Sequence, residues 1–170
     1  MTDFGKFFRY ENGSLVPISS GEPEVQLAVA DSFLVDSGKV RSLDDHFERF
    51  SESVKRVDPS NAHQLAGFYQ AVVDAIPRDG RWFPRIEWHG EAPVGQHLYL
   101  RIREAPEQLS TMTLWTLNEP DPRSNPTIKG PDLSLGQQLR RKAILHGADE
   151  TVLLDDNGFI SEGALSSLVW

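Results

Sequence analysis

Four prolines fall within one short stretch of the chain, residues 118–131, and this stretch limits how the chain can fold. They are Pro120, Pro122, Pro126 and Pro131. Proline lacks a backbone N–H and fixes φ, so a segment this rich in proline cannot form a helix and stays extended. We predict that residues 119–131 connect an N-terminal small α+β domain, residues 1–118, to the first part of a larger domain, residues 132–170.

The N-terminal part combines two periodicities of apolar residues. Alternation with a period of two, interrupted by turn residues such as Asn12-Gly13, indicates β-strands. Apolar residues spaced by three and four indicate helices, and the first of these begins after Ser42, which has the residue type of an N-cap. The predicted elements are a hairpin at 6–17, a strand at 25–29, a hairpin at 32–41, helices at 42–57 and 61–76, and strands at 82–88, 97–103 and 111–117.

The C-terminal part predicts one helix and one hairpin. The helix runs from about Asp132 to His146, and the hairpin pairs residues 151–154 with 159–162. The inward face of this helix is predicted to carry Leu135, Leu139, Ala143 and Ile144. The fold class is therefore α+β: an N-terminal sheet with two flanking helices, followed by the first part of a larger, mostly antiparallel α+β domain. The apolar residues Leu168–Trp170 at the end indicate part of a longer protein, with a C-terminal edge strand as the alternative.

Composition excludes several classes of function. A net charge of −8 argues against binding to nucleic acid or to an anionic membrane, because both require a basic surface. The absence of cysteine excludes disulfides, thiolate nucleophiles and zinc sites with cysteine ligands. The five histidines do not have zinc-ligand spacing, so no metal is expected. Since neither a signal peptide nor a transmembrane segment is recognisable, a cytoplasmic protein is the default expectation.

The most informative pair of residues is Lys129 and Glu162. Lys129 lies in a loop, and the sequence Glu162-Gly163 follows 33 residues later at the end of a predicted strand. This is the arrangement that a pyridoxal phosphate (PLP) enzyme needs: the lysine holds the cofactor as a Schiff base, and the glutamate keeps the pyridine nitrogen protonated. The alternative is a solvated loop lysine and a solvent-facing glutamate.

Three blocks of sequence resemble the class IV aminotransferase family, whose members are fold type IV PLP enzymes. The first block joins Ala30-Asp-Ser-Phe-Leu-Val to the helix segment Leu43-Asp-Asp-His46-Phe-Glu-Arg49-Phe50. The second is the loop around Lys129. The third, residues 147–168, is similar to the family pattern Gly-Ala-Asp-Glu…Gly-x-x-x-Glu-Gly-x-x-Ser-Asn. The family includes branched-chain aminotransferase, D-amino-acid aminotransferase and 4-amino-4-deoxychorismate lyase.

The resemblance implies a role for each matching residue. Lys129 would be the catalytic residue and would bind PLP together with Glu162, Arg49, Ser166 and Ser167. Arg49 would bind the cofactor phosphate, because a guanidinium matches phosphate oxygens, and Ser166 and Ser167 would contact the phosphate or the ring. Helix residue His46 is interpreted as a structural contact. The substrate pocket would be lined by Phe33, Arg101 and Arg103, although exposed positions on strands are the commoner explanation for these three residues.

The resemblance also implies a reaction class. The chain would be a PLP-dependent aminotransferase or an aminodeoxychorismate-lyase-like enzyme, acting on an amino acid or an amino-chorismate-type small molecule and typically forming a homodimer. Relatives often carry Asn-Tyr shortly after the lysine, whereas this chain has Gly130-Pro131-Asp132-Leu133; this departure leaves the substrate open. Two other hypotheses remain: a truncated or degenerate family member kept as a structural or binding module, and a generic small α+β binding domain.

Overall fold

The structure, a computed structural model, describes residues 6–19 and 25–169. Its elements are β1 (Lys6–Glu11), β2 (Ser14–Pro17), β3 (Val29–Ser32), β4 (Val35–Asp36), β5 (Lys39–Val40), α1 (Leu43–Val57), a 3-10 helix (Ala62–Gln64), α2 (Leu65–Ala75), β6 (Arg81–Trp82), β7 (Arg85–Trp88), β8 (Leu98–Ile102), β9 (Leu114–Thr116), α3 (Leu133–Leu145), β10 (Glu150–Leu154) and β11 (Ile160–Gly163). Three α-helices together with two antiparallel sheets and one mixed sheet within the described residues confirm the α+β class.

The chain divides into two compact units. The first consists of Met1–Pro106 with Ile128–Gly130, and the second consists of Glu107–Thr127 with Pro131–Trp170. The predicted division into residues 1–118, 119–131 and 132–170 stays a prediction about folding domains. None of the helices within the described ranges has the length and apolar character needed to span a bilayer.

An antiparallel five-stranded sheet in the order β2-β1-β8-β7-β3 forms the centre of the first unit. Alternate residues of β8, namely Leu98, Leu100 and Ile102, point into the hydrophobic core, as the period of two predicts. A smaller sheet has the order β5-β4-β6. The predicted strand at 82–88 is divided into β6 and β7 by Phe83-Pro84, because proline cannot donate to a strand ladder. The strand predicted at 25–29 is also displaced, since β3 begins at Val29.

Helix α1 buries an apolar stripe that includes Phe50 and Val54 and ends before Asp58-Pro59, as predicted. Of two detailed predictions for the helices, the N-cap position of Ser42 is confirmed and the inward position of Ile144 is wrong. Ser42 occupies the N-cap position with a φ of 53°, but its side chain makes no capping hydrogen bond. On α3, Ile144 is exposed rather than inward.

The second unit contains a mixed three-stranded sheet in the order β11-β10-β9. Strands β10 and β11 form the predicted antiparallel hairpin, and α3 contacts β10. Strand β9 pairs in parallel with β10, with Leu114 opposite Glu150, although the sequence placed it in the N-terminal domain. Parallel pairing joins segments far apart in sequence, so local patterns cannot reveal it. At the chain end, Leu168 and Val169 form no strand, and Trp170 lies outside the described residues.

Candidate active site

The backbone of Lys129 is attached to the edge of the five-stranded sheet. The amide of Ala30, on strand β3, donates a hydrogen bond of 2.6 Å to the carbonyl oxygen of Lys129. The preceding residue, Ile128, is buried in the core of the first unit. Lys129 itself is exposed. The first unit therefore fixes the main chain of the lysine and leaves its side chain exposed.

Gly130 allows this close approach of the loop to the sheet. Its φ is 153°, and a Cβ atom at this position would lie 2.7 Å from the Cα of Val29 and 2.8 Å from the carbonyl oxygen of Ala28. Both neighbours are backbone atoms, which cannot rotate away. Glycine is therefore required wherever the loop keeps its contact with β3.

Replacing Gly130 with alanine is expected to lower the free energy of unfolding by about 3 kcal/mol, because the added methyl group overpacks the contact and strains the backbone. Chemical denaturation of the two proteins measures the difference. Gly95→Ala is the matched control, since Gly95 has a φ of 81° but nothing within 4 Å of its Cβ position; backbone strain alone is expected to cost about 1 kcal/mol there. Equal losses for the two variants would show that the close approach is absent.

Arg49 projects from α1 and is held by a buried carboxylate. Its Nε donates to Asp31 Oδ2 at 2.7 Å and its Nη2 donates to Asp31 Oδ1 at 2.8 Å. His46, one turn earlier, has its Nδ1 2.9 Å from Asp31 Oδ1. The hydrogen bonds to Asp31 outweigh partial burial and raise the pKa of Arg49. Arg49 is thus fixed in orientation, while its side chain is still 54% exposed and able to meet a ligand.

Asp31 was not among the residues given a role from sequence, yet it organises this cluster. It is 1% exposed on strand β3, between Ala30 and Ser32. A charged residue is almost never fully buried unless it is paired. An aspartate inside an apolar strand is a sign of a buried ion pair that could have been recognised in the sequence. Its partner, Arg49, lies eighteen residues later on α1 and could not be identified from local spacing.

Phe33 lies in the core of the first unit. It is buried, and its ring packs edge-to-face against Phe47 at a centroid distance of 6.2 Å and tilted against His46 at 5.6 Å. This position favours a structural role over the substrate contact expected from sequence, and it agrees with the interpretation of His46 as a structural residue.

A second buried carboxylate, Glu87, lies on the face of the five-stranded sheet opposite to that of Asp31 and contacts several basic residues. Arg85 donates to it at 2.6 Å, Arg101 at 3.3 Å, and His89 Nε2 lies 3.0 Å away. Burial alone would raise the pKa of Glu87. The hydrogen bond with His89 and the charges of the two arginines outweigh burial and lower this pKa to about 2.

Arg103 adds a further positive charge to this cluster. Its guanidinium lies 5.4 Å from the ring centroid of Phe83, and its buried Nε has no hydrogen-bond partner within the described residues. Burial, together with the charges of Arg85 and Arg101, lowers the pKa of Arg103 to about 10. Three guanidinium groups thus share one carboxylate, so the cluster favours an anion. The alternation of charged residues along β8 was visible in the sequence, but the contribution of Arg85 and Glu87 from β7 was not.

In the second unit, Glu162 on β11 pairs with Arg123. Arg123 Nη1 donates to Glu162 Oε1, while its Nε and Nη2 donate to Asp121 at 2.9 and 2.5 Å. The pKa of Arg123 is raised, mainly by its hydrogen bond to Asp121. Burial acts in the opposite direction, and the hydrogen bond to Glu162 raises the pKa further. The same bond lowers the pKa of Asp121. Neither Arg123 nor Asp121 was identified from sequence, because short charged pairs in loops are common.

The turn after Glu162 involves one of the two predicted serines. The amide of Gly163 donates to the carbonyl oxygen of Ser166 at 3.0 Å, and Ser166 Oγ lies so close that it would clash with a Cβ atom at Gly163. Gly163 therefore allows Ser166 to fold back against the end of the strand. Ser167 is exposed.

Asp132 closes the loop that carries the lysine. Its Oδ1 accepts from Ser124 Oγ at 2.9 Å, and its Oδ2 accepts from the amide of Asn125 at 3.0 Å. Burial would raise the pKa of Asp132, but these hydrogen bonds lower it. Asp132 stands within the segment where this chain departs from the family's Asn-Tyr, so the departure supplies a carboxylate that ties the two ends of the loop.

The predicted residues are distributed over both units. Lys129, Arg49, Phe33, Arg101 and Arg103 belong to the first unit, and Glu162, Ser166 and Ser167 belong to the second. Within the first unit, β3 holds both the backbone of Lys129, through Ala30, and the side chain of Arg49, through Asp31. The anionic residue of the prediction, Glu162, is held by a guanidinium in the second unit.

Solved structures with a similar fold include aminotransferases, one of them hypothetical, and a protein proposed to be a lyase. A hypothetical aminotransferase from Mycobacterium tuberculosis, in its α-ketoglutarate- and PMP-bound form, has a TM-score of 0.75 at 15% identity, over 94% of this chain and 65% of that one; it has also been solved with PLP bound. A mutant of the branched-chain amino acid aminotransferase from Thermobaculum terrenum has a TM-score of 0.68 at 14% identity, over 95% of this chain and 61% of that one.

A protein from Legionella pneumophila, proposed to be a 4-amino-4-deoxychorismate lyase, has a TM-score of 0.63 at 16% identity, over 80% of this chain and 55% of that one. The chain thus spans less than two thirds of the length of these three structures. A comparison with curated proteins gives no significant match.

The family model described as amino-transferase class IV matches residues 28–170, a span that contains Arg49, Lys129 and Glu162. The chain therefore belongs to the class IV aminotransferase family.

Proposed function

We propose that this chain binds PLP through Lys129 and takes part in amino-group chemistry, either as an aminotransferase or as a lyase of the aminodeoxychorismate type. The observation that carries the proposal is the attachment of two predicted cofactor ligands to neighbouring residues of one strand. Ala30 binds the backbone of Lys129 and Asp31 binds the guanidinium of Arg49. The cytoplasmic location, which is the default expectation from the sequence, and the homodimer that the family resemblance implies belong to the same proposal.

The donor set fits the chemistry of the cofactor. An oriented, half-exposed guanidinium at Arg49 suits a phosphate group. Glu162 offers a carboxylate to the ring nitrogen, and Ser166 and Ser167 add hydroxyl groups near the end of the same strand. Lys129 would hold the cofactor through its side-chain amine.

When bound, PLP supplies an electron sink for negative charge that develops at the Cα of an amino substrate. The residues of this chain do the remaining work. Arg49 holds the phosphate, and Glu162 keeps a proton on the ring nitrogen. The amine of Lys129 would also take up the proton from Cα of the substrate. Removal of this proton by Lys129 would begin either a transamination or an elimination.

The basic cluster of Arg85, Arg101 and Arg103 supports a substrate that carries a carboxylate. Both an amino acid and an amino-chorismate-type compound have this group. Arg103, which directly follows β8, has an unused Nε donor, and Arg101 lies two residues earlier on the strand. We propose that these two arginines bind the substrate carboxylate. Phe33 has a structural role instead, because it packs in the hydrophobic core of the first unit.

Covalent labelling tests the proposal. Protein mixed with PLP is expected to turn yellow, and reduction with borohydride is expected to fix one cofactor on Lys129, as located by peptide mass mapping. Lys142, exposed on α3, is the internal control and is expected to remain unlabelled. PLP is also expected to raise the thermal stability of the protein, because a ligand that binds only the native state stabilises it.

A colourless protein, or label spread over several lysines, would contradict the proposal. In that case the alternative, a non-catalytic structural or binding module of the same family, would be favoured. A stability that does not depend on the cofactor would favour it as well.

A further inference from the structure

Arg123 stands between two carboxylates in the second unit and is more buried than the glutamate that it contacts. Its side chain is 11% exposed, whereas that of Glu162 is 39% exposed. Three of the hydrogen bonds of Arg123 go to Asp121, through Nε and Nη2. Asp121 therefore fixes the plane of the guanidinium, and Nη1 is left to hold Glu162 Oε1.

The arrangement leaves one oxygen of Glu162 for another donor. Within the described residues, Oε1 accepts from Arg123 and Oε2 has no hydrogen-bond donor. A glutamate side chain has several rotatable bonds, and holding one of its oxygens restricts where the other can point. A restricted carboxylate loses less entropy when it binds a ring N–H.

The charges of the cluster also favour a cation. Asp121 and Glu162 contribute two negative charges and Arg123 contributes one positive charge, so the group carries a net charge of −1 when all three are ionised. A protonated pyridine nitrogen at Glu162 Oε2 would bring the net charge to zero. A glutamate neutralised by an arginine alone, without Asp121, would lack this remaining negative charge.

We infer that Arg123 is a positioning residue, which holds Glu162 through Oε1 so that Oε2 meets the pyridine nitrogen of the cofactor. This inference rests on the proposed function, because it requires PLP to bind. It adds to that function a chain of hydrogen bonds in which Asp121 orients Arg123 and Arg123 orients Glu162. The sequence separates Arg123 from Glu162 by 39 positions, so the pairing follows only from the fold.

The test compares PLP with an analogue in which a C–H replaces the ring nitrogen, 1-deazapyridoxal phosphate. Arg123→Met is expected to weaken PLP binding about tenfold and to leave binding of the analogue within about twofold. In a Glu162→Gln background, Arg123→Met is expected to cause no further loss, since the group that it positions is gone. Arg123→Lys keeps the charge and is expected to restore part of the affinity. Arg141→Met, on the exposed face of α3, is the matched control and is expected to change neither affinity.

Each outcome separates the inference from the proposed function. Weaker binding of both compounds by Arg123→Met, or the same loss in the Glu162→Gln background, would overturn the positioning role and assign Arg123 to structure alone. Failure of the wild-type protein to bind either compound would overturn the proposed function itself. Binding of the analogue also shows that a variant is folded; if Arg123→Met does not fold, Asp121→Asn removes the charge that orients the guanidinium and is expected to show the same selective loss for PLP.

Discussion

Replacing Lys129 with alanine is expected to lower the rate of amino-group loss from the substrate by roughly a thousandfold or more. The lysine amine is proposed both to link the cofactor and to take the proton from Cα, and removal of a positioned general base alone costs about 10²–10⁴ in rate. The measurement is the rate at saturating concentration of any amino compound that the wild-type protein converts. Added methylamine is expected to restore part of the rate, because a small amine can occupy the space that the side chain leaves.

The control for this prediction is Lys142→Ala, which removes an exposed lysine from the last turn of α3. It is expected to keep the wild-type rate. If Lys129→Ala kept a rate within tenfold of wild type, or if methylamine raised its rate by no larger a factor than that of Lys142→Ala, the lysine would have no special role. The folded state of both variants can be compared through thermal unfolding without cofactor.

The sequence allowed the α+β class and most elements to be predicted, because these depend on local periodicity. Strands β10 and β11 and helix α3 lie close to their predicted positions. The pairing of β9 with β10 was missed, since it joins residues more than thirty positions apart in parallel. A proline at 84 also divided a strand whose apolar pattern continued across it.

The candidate site likewise contains residues that could be predicted from the sequence and residues that could not. Lys129 and Glu162 were recognisable because their residue types occur in sequence blocks that resemble a family. Their partners were not recognisable: Asp31 and Arg123 act through contacts across 18 and 39 positions. A buried ion pair depends on where two elements meet in space, and spacing along one element does not contain that information. For Phe33 the sequence suggested a role that its position does not favour: its residue type suited a substrate pocket, but the fold placed it in the hydrophobic core.

Acid is expected to destabilise the first unit through one buried carboxylate. The pKa of Glu87 falls from its ordinary value of 4.5 to about 2 in the folded protein, so the unfolded state binds this proton more readily. The stabilisation from Glu87 is therefore complete above about pH 4.5 and is lost as the pH falls through about 2. A pKa difference of this size corresponds to about 3 kcal/mol.

Glu87→Gln is expected to lower the free energy of unfolding by about 3 kcal/mol at neutral pH, because it leaves Arg85 and Arg101 without their carboxylate. Denaturant titrations from neutral pH to about pH 2 are expected to show the variant and wild type converging as Glu87 becomes protonated. Glu91→Gln, an exposed position nearby in sequence, is the matched control and should follow the wild-type curve. Parallel curves for Glu87→Gln and wild type would contradict the buried ion pair.

Glu87 offsets only one of the three guanidinium charges around it, and the remaining positive charge is the physical reason for proposing a carboxylate substrate at Arg101 and Arg103.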